Sequence, residues 1–136
     1  VLGFMALFAL YGTWSQNVAY FAGGGGPAAF GQFVLDTKVN PASRSLGVDI
    51  AVTFYAASIF MVIEARKLGV RFVWAYILLG LLIAISVTFP LFLIAREMKL
   101  AKGAEAPPGH DPRVLDLVGL AVLAAVTVGL SLFVIG

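Results

Sequence analysis

Asp49 is the residue of this chain best placed to do chemistry in an apolar surrounding. It follows Asn40-Pro41, a pair suited to start a helix, because Asn caps an N-terminus and Pro fits the first helical position. At the helical rise Asp49 lies roughly 12 Å beyond that start, deep enough to require a partner or water. A carboxylate held there can carry a proton. It can equally form an ion pair with Arg44 or accept hydrogen bonds from amides on a neighbouring helix.

Such amides exist. Thr13, Gln16, Asn17 and Tyr20 recur at i, i+3, i+4 and i+7 and so share one helix face. In hydrocarbon this face has to turn towards other helices. Two readings follow: plain interhelical hydrogen bonding, or a polar path in which Gln16, Asn17 and Tyr20 join Asp49. The second is the chemistry of a small oligomeric proton-coupled transporter.

The residue types that are missing narrow the chemistry further. His110 is the only histidine, so no histidine pair can clamp a haem between helices. A loop histidine can hold a metal or pigment peripherally, but solvation is its ordinary state. There is no cysteine, no His-Glu-x-x-His pair and no Ser-His-Asp set, and Gly23–Gly26 lacks the lysine of a phosphate loop. No catalytic, cofactor or metal site is expected. Bound lipid is compatible with the chain, and a lipid- or pigment-binding module is a further reading, supported only by eleven Phe, four Tyr and two Trp.

The elements that must position these residues are read from composition. Of 136 residues, 61% are hydrophobic and 12% charged, and the mean hydropathy is +1.01. A soluble domain needs more charge to cover its surface. The charges gather at 36–49, 64–71, 96–105 and 111–116, and the stretches between are of the length that crosses a bilayer, about 20 residues. The net charge of +2 comes from Lys and Arg flanking such stretches, so no nucleic-acid partner is expected.

Four transmembrane helices are therefore expected in a single all-α membrane domain over 1–136, with spans at about 2–22, 41–65, 70–99 and 112–135. The first is read as a mature span because it lacks the basic start and cleavage site of a signal peptide. The glycines at 23–26 with Pro27 end it, and Phe30, Phe33 and Val34 then suit either a short interfacial helix over 28–38 or an ordered loop. Arg66, Lys67 and Gly69 mark the end of the second span. Pro90 predicts a kink in the third. Asp111-Pro112 opens the fourth, where Asp116 favours the positive helix end and Ala121, Ala125 and Gly129 form a small-residue packing stripe. Glu64 and Arg96 are read as snorkelling to the interface. Orientation stays open, with Lys38, Arg44, Arg96, Lys99, Lys102 and Arg113 set against Arg66, Lys67 and Arg71.

Asn40-Pro41-Ala42-Ser43, Asp49, Glu64-Ala65-Arg66-Lys67-Leu68-Gly69 and Pro90-Leu91-Phe92-Leu93 with Arg96-Glu97 resemble the small bacterial membrane proteins catalogued as domain of unknown function 2834. The likeness covers roughly residues 2–100, and the fourth span looks like an addition. It implies a helical protein of a bacterial inner (cytoplasmic or derived) membrane and no particular activity. The first functional expectation is a non-catalytic accessory subunit of a larger membrane complex, with lipids and other membrane subunits, or copies of itself, as partners.

Overall fold

The computed structural model describes residues 1–23, 26–103 and 113–135. It is all-α among these residues: α1 Leu2–Ala22, α2 Gly26–Asp36, α3 Pro41–Leu68, α4 Val73–Leu82, α5 Ile85–Ala101 and α6 Val114–Ile135.

The bounds of α3 follow from its end chemistry. The Asn40 side chain accepts from the Ser43 backbone N–H at 2.9 Å, and Pro41 takes the first position, where a missing N–H costs nothing. At the other end Gly69 adopts the left-handed conformation, with φ 64°. Its N–H and that of Val70 both reach the Ala65 carbonyl. One face of α3 is buried at Phe54, Ser58, Met61, Val62, Ala65 and Leu68, a three- and four-residue spacing. Val73 and Ile77 of α4 and Phe92 of α5 complete this core, with Leu120 and Leu123 of α6 packed against it.

The stretch 70–99, expected as one kinked span, is a helical hairpin. Helix α4 stops at Leu82, Ala84 is extended (φ 175°, ψ 141°), and α5 returns alongside α4. Tyr76 and Phe92, which a continuous helix would hold about 24 Å apart, have ring centroids 5.7 Å apart. Two features make the turn possible. The Ile83 carbonyl freed at the break accepts from Trp14 Nε1 of α1 at 3.2 Å. Gly80 lets the two helices touch, for a β-carbon there would stand 2.7 Å from Thr88 Oγ1 and 3.3 Å from Ile85 Cδ1. Pro90 sits inside α5 and does not make the bend. The β-branched run Ile83, Ile85, Val87 and Thr88 holds helix weakly just where the chain reverses.

The directions of the helices follow from their contacts. Phe60 stacks edge-on against Phe89 at 5.9 Å and Glu64 pairs with Arg96, so α5 runs parallel to α3. Asp116 at the start of α6 meets Arg66 at the end of α3, and Lys38 lies over the Phe133 ring at 4.2 Å. Helix α6 is therefore antiparallel to α3. Helix α1 packs along α5, with Trp14 at the hairpin tip and Tyr20 at the α2 end. By length and composition one described helix, Pro41–Leu68, is able to cross a membrane, with a mean hydropathy of 2.0 in its apolar window; Val73–Leu82 and Val114–Val126 are shorter apolar helices.

Gly80 and Gly12 make a matched test of the hairpin contact. Gly80→Ala forces Thr88 or the α4–α5 spacing to shift and is expected to destabilise by about 1–3 kcal/mol. Gly12 has open space around it, so Gly12→Ala is expected to be neutral or to stabilise by about 0.5–1 kcal/mol through helix propensity. Thermal unfolding of the two purified variants reads the difference, and equal melting temperatures would contradict the close approach.

Candidate functional site

Among the described residues a dense polar cluster lies where α3 ends and α4 and α6 begin. Asp116 is in the first turn of α6, and its side chain has no exposed surface. Its Oδ2 accepts from Arg66 Nε at 2.7 Å and from the Arg113 backbone N–H at 3.0 Å. Its Oδ1 accepts from Arg66 Nη2 and from Trp74 Nε1, the latter at 3.1 Å. Four donors leave this carboxylate little capacity for anything else. The bond to the Arg113 N–H is half of a capping box, so the expected favourable placement at the helix N-terminus accounts for one of the contacts. The Trp74 ring is pressed onto Gly119, where any side chain would collide with it.

A second set ties α3 to α5. Arg96 Nε donates to Glu64 Oε2 at 2.7 Å, and Arg96 Nη1 donates to Glu97 Oε1 at 2.7 Å. Lys67 Nζ stands 3.7 Å from Glu64 Oε1. Glu64 and Arg96, expected only to reach outwards separately, are partners. Sequence spacing gives no warning of this, because 32 residues and a chain reversal separate them. The signal available was weaker: each charge lies at the end of an apolar run, and ends at one level can pair.

The residues singled out from sequence are dispersed. Tyr20 donates its hydroxyl to Asp36 Oδ2, and Gln32 Nε2 donates to Asp36 Oδ1 at 2.8 Å, which ties α1 to α2. Thr13 turns back onto the Ala9 carbonyl at 2.7 Å. Gln16 is exposed and Asn17 half-buried on α1, which packs along α5. Asp49 is exposed on α3 in a shallow cleft of about 500 Å³ with Pro41, Arg44, Ser45 and Val48. It forms no ion pair among the described residues, while Arg44 Nε donates to the Lys38 carbonyl at 3.2 Å. The structure thus brings Tyr20 to Asp36 and does not bring Gln16, Asn17 and Tyr20 to Asp49. Ala121, Ala125 and Gly129 are exposed, on the side of α6 turned away from the core. His110, Asp111 and Pro112 lie outside the described residues. Among the described residues no three His, Cys, Asp or Glu side chains are grouped to hold a metal.

Long apolar helices whose charges, Asp49 apart, lie near their ends define an all-helical protein in which at least one helix is fit to cross a membrane. The chain belongs to the family described as Protein of unknown function DUF2834, whose model matches residues 1–98. The matched residues run from α1 through most of α5. Helix α6, which carries Asp116, lies wholly beyond them. No curated protein and no solved structure matches the chain.

Removing one partner of the Asp116 cluster should be worse than removing both. Asp116→Asn leaves Arg66 without its counter-charge and is expected to cost about 3 kcal/mol, whereas Asp116→Leu combined with Arg66→Met should recover part of that loss, the Trp74 indole and the Arg113 N–H still lacking their acceptor. Chemical unfolding of the purified variants measures this, and an undiminished loss in the double variant would count against a charge-pair origin. At the other end of the molecule, the hydrogen bonds from Tyr20 and then Gln32 hold the Asp36 carboxyl below its usual range. A depressed folded value means that this contact is at full strength above the ordinary carboxylate pKa, near 4, and is lost only as pH falls through Asp36's own lower value. In a carbon NMR titration Tyr20→Phe should move the Asp36 midpoint upwards; an unmoved midpoint would contradict the contact.

Proposed function

We propose that this protein is a non-catalytic accessory subunit of a larger assembly in a bacterial inner membrane. The reading takes α1, α3 and α6 as membrane-crossing helices and α4–α5 as a hairpin that enters from one side and leaves by the same side. The hairpin stands in place of the third crossing, 70–99, expected from hydropathy.

Charge placement supports it. Arg44 and Arg66 on α3 are 22 residues apart, which at the helical rise is about 33 Å, close to the thickness of a hydrocarbon core. The hairpin returns Arg96, Lys99 and Lys102 to the end that already holds Arg66, Lys67, Arg71 and Arg113, leaving Lys38 and Arg44 at the other. That asymmetry directs the α3 C-terminal end to the cytoplasm.

The observation that carries the accessory role is the exposed Asp49. It lies about 12 Å along α3, inside the level of Arg44, on a face that the described residues leave uncovered. A carboxylate facing lipid there costs several kcal/mol, and a partner helix seated in the adjoining cleft removes that cost. The outward stripe Ala121, Ala125 and Gly129 offers a second close-approach surface. The transporter alternative needs Gln16, Asn17, Tyr20 and Asp49 on one path, and their dispersal speaks for the subunit reading.

Extraction of the native membrane in mild detergent tests this. A different polypeptide is expected to co-migrate in stoichiometric amount and to be lost in Asp49→Leu or Gly129→Leu protein that is still inserted. A chain recovered as a lone monomer, or only with copies of itself, would overturn the accessory role.

A further inference from the structure

The cytoplasm-directed end holds a cleft whose chemistry is distinct from the ion pairs beside it. It has a volume of about 410 Å³ and lies between the last turn of α3, the Gly69–Phe72 turn and the residue that opens α6. Arg66, Arg71 and Arg113 line it. Arg66 is committed to Asp116, so that pair is neutral. Arg71 and Arg113 are exposed, and neither side chain has a hydrogen bond or ion pair among the described residues. Two unspent guanidinium groups thus face one cavity, which is the donor arrangement that matches phosphate oxygens.

Large apolar residues follow the cleft's two exposed arginines in the chain. Phe72, in its lining, is 78% exposed, and Val114 and Leu115, next to Arg113, are 78% and 75% exposed. Phe72 is also the one described non-glycine residue with positive φ, 60°, a conformation that costs an L-residue on the order of 1 kcal/mol. Large apolar side chains held outwards around paired arginines are poorly suited to water. They suit the level where phosphates lie above acyl chains. Helix α3, at 28 residues and about 42 Å, exceeds a hydrocarbon core of about 30 Å, so its last turn reaches that level.

We propose that the Arg66–Arg71–Arg113 cleft binds the phosphate of an anionic phospholipid of the cytoplasmic leaflet, with Phe72, Val114 and Leu115 against its acyl chains. Arg71 and Arg113 donate charge-assisted hydrogen bonds to the phosphate oxygens, and Arg66, fixed by Asp116, forms the wall behind them. The inference rests on α3 crossing the membrane with its C-terminal end towards the cytoplasm but not on the accessory role.

The test uses the full chain reconstituted in vesicles of phosphatidylcholine doped with tail-brominated phosphatidylglycerol or tail-brominated phosphatidylcholine. Quenching of Trp74 fluorescence is read in Trp14→Phe protein, since Trp74 stands beside the cleft, bonded to the same carboxylate as Arg66, whereas Trp14 lies at the hairpin tip. Brominated phosphatidylglycerol is expected to quench at lower mole fraction than the zwitterionic lipid. Arg71→Gln and Arg113→Gln should each remove about fivefold of that preference. Arg71→Lys and Arg113→Lys, which keep charge but lose the fork, should retain part of it, and Lys38→Gln at the far end should leave it whole. Equal quenching by the two lipids, or a preference that survives both glutamine changes in folded, inserted protein, overturns the site. So does a preference abolished by millimolar inorganic phosphate, which would make the cleft a free-anion site. A chain that fails to insert into vesicles overturns the span reading and this site with it, whereas an inserted chain without preference overturns this site alone.

Discussion

A carboxylate withdrawn from solvent must find donors for its lone pairs, and the way Asp116 meets that demand organises one whole end of the molecule. Its donors come from the last turn of α3, the first turn of α4 and the residue preceding α6. Those three helix ends are thereby brought to one level. Glu64 and Arg96 extend the same level to α5. The energetic weight lies less in attraction than in the penalty for leaving any member unpaired. That penalty makes the arrangement specific, because sliding α6 by one turn against α3 would strand Asp116, Arg66 and the Trp74 indole together.

The reversal at Ile83–Ala84 depends on that level being held. With Val73 and Arg96 near the same end, the chain between them can only descend and return. Gly80 provides the room for contact and Trp14 satisfies the freed carbonyl. Turn, close approach and cap come from three different parts of the chain, and the hairpin needs all of them. Its consequence reaches the charge distribution. A continuous 70–99 helix would have carried Arg96, Lys99 and Lys102 to the opposite end from Arg71. The hairpin returns them, and a divided set of basic residues becomes a strongly one-sided one.

The uncovered surfaces tell a complementary story. Among the described residues the ion pairs and the hydrogen bonds between side chains lie at the two ends, whereas Asp49 and the Ala121–Ala125–Gly129 stripe look outwards. A chain that satisfies Asp116 with four donors yet leaves Asp49 with no ion pair among the described residues treats the two carboxylates differently. The first is built into the fold. The second is exposed, and the proposal that this protein is part of a larger assembly rests on that difference.

Much was legible in the residues themselves. Local signals sufficed for α3, because Asn40, Pro41 and Gly69 act within one turn of their own positions. They also marked the break after the first helix, although the short helix that follows runs Gly26–Asp36 rather than 28–38, because Gly26 and Pro27 open it, as proline can at a first turn. The all-helical class and the segregation of charge required only composition and order along the chain. What the sequence alone could not decide was every matter of who faces whom. Hydropathy averages over a window and is blind to direction, so a hairpin of two apolar helices reads the same as one long span. Periodicity placed Gln16, Asn17 and Tyr20 on one face but could not say which neighbour that face meets, and it offered nothing to join Arg66 to a residue 50 positions away. Local structure is decided by bonds reaching a few residues. The pairing of helix ends is decided by desolvation and packing across the whole fold, and those exist only once the chain has folded.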